Sequence, residues 1–189
     1  MNIASFAFVD PTMFLSTMTL KYGRHFNDND QPRALAEPPF QDCRHIVLRG
    51  PENGDWNAAD VAEVDYPLLT EWPSARNLLA DVGRQITAHL AAENLQFGQV
   101  IVRSLKPGGV IGWHSDEHLP YAQRHARFQL LVSPCAGGCW FSGGESLGPG
   151  PGNLTLVNHV TLNSAINLGP VPQISLVVDV RKPEKPTLQ

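Results

Sequence analysis

Apolar side chains recur at every fourth position in one stretch of the chain: Leu78, Val82, Ile86 and Leu90. On a helix of 3.6 residues per turn they form a single stripe, and Pro73 and Ser74 stand where a helix start favours them. The pattern predicts an amphipathic helix over about 74–93 that packs across the face of a sheet. From Gly98 onward the texture changes. Runs rich in β-branched residues at 100–105, 110–114, 128–132, 139–141, 154–157, 165–168 and 174–180 alternate with turn clusters. Among these clusters are Pro107-Gly108-Gly109, Ser133-Pro134 and the Gly/Pro-rich stretch 143–153, read here as turns. Seven or so short strands at such spacing point to a sandwich or jelly roll. The first seventy residues or so look irregular, with polar and Pro-rich stretches at 27–30 and 37–39; only 46–48 reads as a strand, closed by Gly50-Pro51. The chain therefore divides into a supporting N-terminal region (1–97), a β core (98–182) and a charged, Pro-containing tail (183–189) expected to fray.

Composition narrows the class. A chain of 189 residues suits one domain, because two halves would each have a thin core. Sixteen glycines and sixteen prolines favour many turns over a helical bundle. The net charge of -4 argues against a general electrostatic grip on nucleic acid or an anionic membrane. No run approaches the ~20 apolar residues that span a bilayer. Asp10-Pro11 interrupts the apolar start and no basic segment precedes it, so no secretory signal is expected. Three cysteines, Cys43, Cys135 and Cys139, are too few for a disulfide scaffold; the expectation is cytoplasmic residence with reduced thiols.

The candidate chemistry centres on Leu-Lys-Pro-Gly-Gly-Val-Ile-Gly-Trp-His-Ser-Asp, residues 105–116. A tight turn feeds a short strand ending in His114-Ser115-Asp116, and residues two apart on a strand share a face. His159 follows the later strand 154–157. A His-x-Asp tripeptide alone recurs by chance, usually in a surface turn. The Gly-rich turn before it, the later His and the all-β texture between them set this one apart. Two imidazoles and one carboxylate can occupy one face of an octahedral ion and leave three positions open, as in non-haem Fe(II) oxygenases. The expected fold is mainly β with flanking helices, a double-stranded β-helix (cupin-like jelly roll) holding a metal ion on His114, Asp116 and His159.

Other motifs read as structure. Cys135-Ala-Gly-Gly-Cys139 lacks the second pair a structural zinc needs and reads as a hairpin turn. The glycines at 143–144 and 148–152 lack the strand-to-helix setting and Lys of a phosphate loop. His118, Arg124 and His125 read as loop residues where a pocket rim would lie; His45 precedes a strand, and Trp72 and Trp140 read as core.

Residues from about 100 to 182, a little under half the chain, resemble the aspartyl/asparaginyl β-hydroxylase family. This is a branch of the Fe(II)/2-oxoglutarate dioxygenases that also includes free-proline cis-hydroxylases. The likeness rests on the Pro-Gly-Gly turn into Trp113-His114-Ser115-Asp116, the basic strand before Leu130-Leu131-Val132, Asn158-His159-Val160, Asn163 and the closing run 175–180. It implies that His114, Asp116 and His159 ligate Fe(II), with 2-oxoglutarate and O2 as cosubstrates and an amino acid, free or in a peptide or protein, as substrate. The implied reaction is oxidative decarboxylation of the cosubstrate coupled to hydroxylation of a C–H bond.

In the family, an Arg on the last core strand anchors the far carboxylate, often followed two residues later by a hydroxyl. Here those positions hold Gln173 and Ser175, and a neutral amide does not supply the charge. Two other arginines can compensate. Arg103 lies on the strand before the Pro-Gly turn. Arg127 shares a strand face with Gln129 and Leu131; a basic residue near it contacts the iron-side carboxylate in the family, where Gln129's place is often a His. Edge-strand charges in water are the alternative for both arginines. Two further readings stay open: a jelly-roll metalloenzyme that does not use 2-oxoglutarate, and a non-catalytic cupin-like binding module.

Overall fold

The computed structural model describes residues 3–14, 39–50, 73–91, 94–133 and 137–182. The expectations for 27–30, 37–38, Trp72, Cys135 and the tail lie outside them. Ten strands and two helices are named in chain order. They are β1 Ile3–Phe8, β2 Cys43–Arg49, α1 Pro73–Leu90, β3 Phe97–Leu105, β4 Val110–His114 and α2 Pro120–Arg124. Then follow β5 His125–Leu131, β6 Gly138–Ser142, β7 Glu145–Leu147, β8 Asn153–Val157, β9 Asn163–Asn167 and β10 Gln173–Arg181.

The strands form a six-stranded sheet in the order β1-β8-β5-β10-β3-β2 and a four-stranded sheet in the order β4-β9-β6-β7. Every pairing is antiparallel. Strands β3 to β10 alternate between the two sheets in the manner of a jelly roll, except for the hairpin β6–β7, which lies wholly in the smaller sheet, and β1 and β2 extend the larger sheet at its two edges. The expected double-stranded β-helix is the fold observed.

Local chemistry explains the turns. Pro107 and Gly108 (φ 69) form a tight turn closed by Gly109 N donating to Lys106 O at 2.9 Å. A positive φ in third place is what a type II turn needs from glycine. Gly143 and Gly144 both have positive φ, which joins β6 to β7 as a two-residue hairpin with Ser142 opposite Glu145.

The larger sheet has two unlike faces. One carries Leu48, Val100, Val102, Phe128, Leu130, Val132, Leu154, Leu176, Val178 and Val180 against Leu78, Leu79, Val82 and Ile86 of α1. Burial of such side chains contributes about 1.5–3 kcal/mol each, which makes this layer the main source of stability. The helical stripe is therefore where the spacing put it, and the helix ends as Ala91 takes φ 49. The opposite face looks toward the smaller sheet. There a second cluster of Cys43, Leu105, Ile111, Leu131, Trp140, Val157 and Ala165 closes one end of the interior. No described helix is long and apolar enough to cross a membrane.

Three elements escaped the sequence pattern. Strand β1 falls in a region read as irregular; its Ala/Ser-rich sequence is weakly strand-forming, and pairing with β8 makes it a strand, aided by a hydrogen bond between the Ser5 and Thr155 hydroxyls at 3.0 Å. Strand β7 lies in the stretch read as turns, and α2 begins at Pro120 in the stretch read as a loop.

Candidate metal centre

Strand registry places the polar residues of the larger sheet on its inward face. His45, Arg103, Ser175 and Leu131 form one cross-strand row. Cys43, Leu105 and Gln173 form the row beside it. Asp179, Arg127 and Val157 form a third. Period-two alternation explains why β3, β5 and β10 carry Arg103, Arg127, Gln129, Gln173, Ser175 and Asp179 inward while their apolar neighbours face α1.

His114 ends β4, where the register with β9 slips by one residue between Ile111 and His114. This bulge lets Ile111 and His114, three apart, both turn inward. His114 Nδ1 donates to Gly112 O at 2.8 Å, which fixes the tautomer and leaves the Nε2 lone pair as the available ligand. Burial pulls the His114 pKa below its ordinary value and favours the neutral ring.

Backbone contacts bring the other two positions alongside. Asp116 N donates to His159 O at 3.0 Å. The amide of Asn163 donates to His114 O at 3.0 Å, His159 O at 3.3 Å and Thr161 O at 3.1 Å, so one side chain ties both histidine segments together. Ser115 Oγ donates to Val160 O at 2.9 Å across the same junction. His159 is 2% exposed, and its Nε2 is buried without a hydrogen-bond partner among the described residues. An orphaned ring nitrogen is costly unless something binds it. Burial, and then the nearby Arg127 charge, push the His159 pKa down to about 4, so the ring is uncharged at neutral pH.

The side chains do not form a closed cage. Among the described residues no group of three or more His, Cys, Asp or Glu is gathered tightly enough to hold a metal ion as it stands. The Asp116 carboxylate is turned to Arg127, whose Nη1 donates to Oδ2 at 3.0 Å. Arg127 in turn grips Asp179 through Nε to Oδ1 and Nη2 to Oδ2, both at 2.9 Å. Burial would raise the Asp179 pKa, but the Arg127 charge and hydrogen bonds outweigh it and hold the carboxyl below its usual range. The donor chemistry suits a divalent metal nonetheless: two neutral imidazoles, one of them orphaned, and a carboxylate at adjoining positions.

Arg103 lies with His114, Arg127, Gln129, Trp140 and Asn163 on the wall of one narrow cavity. Its Nε donates to His45 Nε2 at 2.9 Å and its guanidinium lies 5.4 Å from the centroid of the Phe40 ring. Among the described residues it has no carboxylate partner. Gln173, 2% exposed, has neither amide atom hydrogen-bonded among the described residues.

The structure thus brings His114, Arg103, Arg127 and Gln129 to one cavity, with Asp116 joined to it through Arg127 and His159 through the side chain of Asn163. Gln173 and Ser175 sit in inward rows beside Arg103. His118 is exposed, and His125 is buried, stacked on Tyr121 with centroids 3.9 Å apart. Cys43 and Cys139 are free thiols, and Trp140 is core. Sequence reasoning used Asn163 and the run containing Asp179 only as positions matching the family, and left His45 open. A charge inside the run Val177-Val178-Asp179-Val180 was the available signal for Asp179, because a buried carboxylate needs a cation.

No protein-family model matches this chain, and neither does any curated protein. Solved structures do. A Pseudomonas putida prolyl-4-hydroxylase aligns over 96% of this chain and 92% of its own, with a TM-score of 0.60 and 13% identity. The viral collagen prolyl hydroxylase of Paramecium bursaria Chlorella virus-1, solved with 2-oxoglutarate, aligns over 96% of both chains at 0.59 and 12%. A 2OG-Fe(II) oxygenase family oxidoreductase from Burkholderia pseudomallei covers 78% of this chain and 71% of its own at 0.54 and 10%. Identities this low carry architecture and nothing finer: the chain is a double-stranded β-helix, the fold those oxygenases share.

Proposed function

We propose that this protein is an Fe(II)- and 2-oxoglutarate-dependent oxygenase that hydroxylates an amino acid, free or within a peptide or protein. The observation that carries the reading is a buried cation with no carboxylate partner among the described residues, Arg103, on the wall of the cavity that His114 lines. A site that pairs candidate metal ligands with such a guanidinium suits a ligand that chelates through one end and is anionic at the other. Orphaned His159 Nε2 supports the metal end. The sequence resemblance and the prolyl hydroxylases of the same fold favour an amino-acid substrate.

His114, Asp116 and His159 would hold the iron. When bound, the iron supplies the coupling of cosubstrate decarboxylation to O2 activation. The chain's own residues bind and orient. Arg103, with Ser175 beside it in the register, takes over the far-carboxylate charge that Gln173 lacks. Gln129 and Arg127 line the approach. The cavity is narrow as it stands.

Gln173 favours a second reading, a metalloenzyme using a different acid, because its unsatisfied amide offers both a donor and an acceptor at the anchor end. An anaerobic titration with Fe(II) and then 2-oxoglutarate separates the two. The proposal expects a visible charge-transfer band that is lost in His114→Ala. Fe(II) binding without the band would transfer the case to the second reading, and no Fe(II) binding would remove the metal site altogether.

A further inference from the structure

We propose that Arg127, braced by Asp179, occupies Oδ2 of Asp116 so that Asp116 can offer a metal ion one oxygen and not two. The inference rests on the metal site proposed above and adds a positioning role that neither the sequence motifs nor the fold assigns.

The geometry is that of a fixed bar. Arg127 and Asp179 are direct cross-strand partners on β5 and β10, so their backbones are held in register. Their side chains form a two-bond fork at 2.9 Å on a carboxylate that is 0% exposed. A guanidinium is planar, so anchoring Nε and Nη2 also fixes the direction of Nη1. That third nitrogen donates to Asp116 Oδ2 at 3.0 Å. Asp116 is held from its own side as well, by its backbone bond to His159 O. Oδ2 is therefore committed, and Oδ1 is left for other partners.

The count of ligands gives the clamp its consequence. Two imidazoles and a carboxylate bound through one oxygen leave three of about six positions on an octahedral ion. A carboxylate bound through both oxygens leaves two, which a chelating 2-oxo acid fills completely, with none left for O2. The clamp also sets charge. Arg127 shares one positive charge between two carboxylates, so Asp179 draws away part of what would otherwise weaken Asp116 as a ligand.

Two variants of the full chain test this with opposite expected signs. In Asp179→Asn the whole Arg127 charge falls on Asp116, so Mn(II) affinity, measured by calorimetry on metal-free protein, should fall several-fold. In Arg127→Met/Asp179→Leu both buried charges leave together, which avoids stranding either one. There Mn(II) affinity should hold or rise. The Fe(II)-loaded double variant should still form its 2-oxoglutarate complex, but that complex should bind nitric oxide, an O2 surrogate read by electron paramagnetic resonance, about tenfold more weakly. A merely structural role would weaken Mn(II) binding in both variants and leave nitric oxide binding unchanged; that result overturns the clamp. If the double variant does not fold, unchanged Mn(II) affinity in Asp179→Asn overturns it. A parent protein that binds neither Mn(II) nor Fe(II) overturns the metal-site reading itself, and the clamp with it.

Discussion

Nε of Arg103 donates to Nε2 of His45 at 2.9 Å across the β2–β3 pair, so the strand outside the β core holds the cation of the cavity. His45 must be neutral to accept, and burial, with the Arg103 charge second, pushes its pKa well below the ordinary value. Among the described residues no carboxylate pairs with the Arg103 guanidinium, which leaves it to meet an anion. A hydrogen bond to a charged group contributes about 1.5–3 kcal/mol, or roughly ten- to a hundredfold in affinity. Arg103→Met should therefore weaken 2-oxoglutarate binding to the Fe(II)-loaded protein by that factor, while a thermal melt shows the fold retained. An unchanged charge-transfer titration would reject Arg103 as the anchor.

Gln173 gives a prediction of opposite sign for stability. Both amide atoms are buried and unpartnered, and an unsatisfied buried polar group costs about 1–3 kcal/mol. Gln173→Leu should stabilise the ligand-free protein by about 1 kcal/mol after packing losses, read as a raised midpoint of urea unfolding. Gln173→Arg places a second cation near Arg103 and should lower 2-oxoglutarate affinity. A rise would mean that Arg103 is not already serving there.

The two carboxylates of Arg127 are unequal. Asp116→Ala leaves the fork to Asp179 intact, so it should cost about 1 kcal/mol of stability while abolishing metal binding. Asp179→Ala strips the fork from a buried guanidinium and should cost about 3–5 kcal/mol. Denaturant curves of the two variants, with Mn(II) calorimetry on the first, check both statements.

His125 sets an acid limit on stability. Its Nδ1 donates to Tyr121 O at 2.8 Å, and burial lowers its pKa below the ordinary value. A lowered imidazole pKa means that the unfolded chain binds the proton first. Stability is therefore fully present above the unfolded pKa of about 6.5 and declines as pH falls toward the folded value. His125→Phe, which keeps a ring against Tyr121, should flatten that decline by at most about 1.4 kcal/mol per pH unit. Urea unfolding at a series of pH values between about 5 and 7.5 reads the slope directly.

Much was legible because it is local. The stripe of Leu78, Val82 and Ile86 and the β-branched runs mark elements whose period any neighbour would respect. His114 and Asp116 stand out because a turn-forming Pro-Gly-Gly and a two-residue spacing are written in adjacent positions. What escaped was weak on its own: β1 takes its form from β8, and three-residue β7 takes its form from a Gly-Gly hairpin.

The sequence by itself determined the fold class, the helix and the candidate ligands, since each follows from spacing and side-chain type within a short window. Only the tertiary structure decided the partners. That Arg127 is bound to Asp179 and Asp116, that Arg103 rests on His45 and Phe40 with no carboxylate, and that a bulge turns His114 inward all depend on registry between strands distant in the chain. Charge pairing in a buried interior is set by which side chains share a face at contact distance, and that is a property of the assembled sheets.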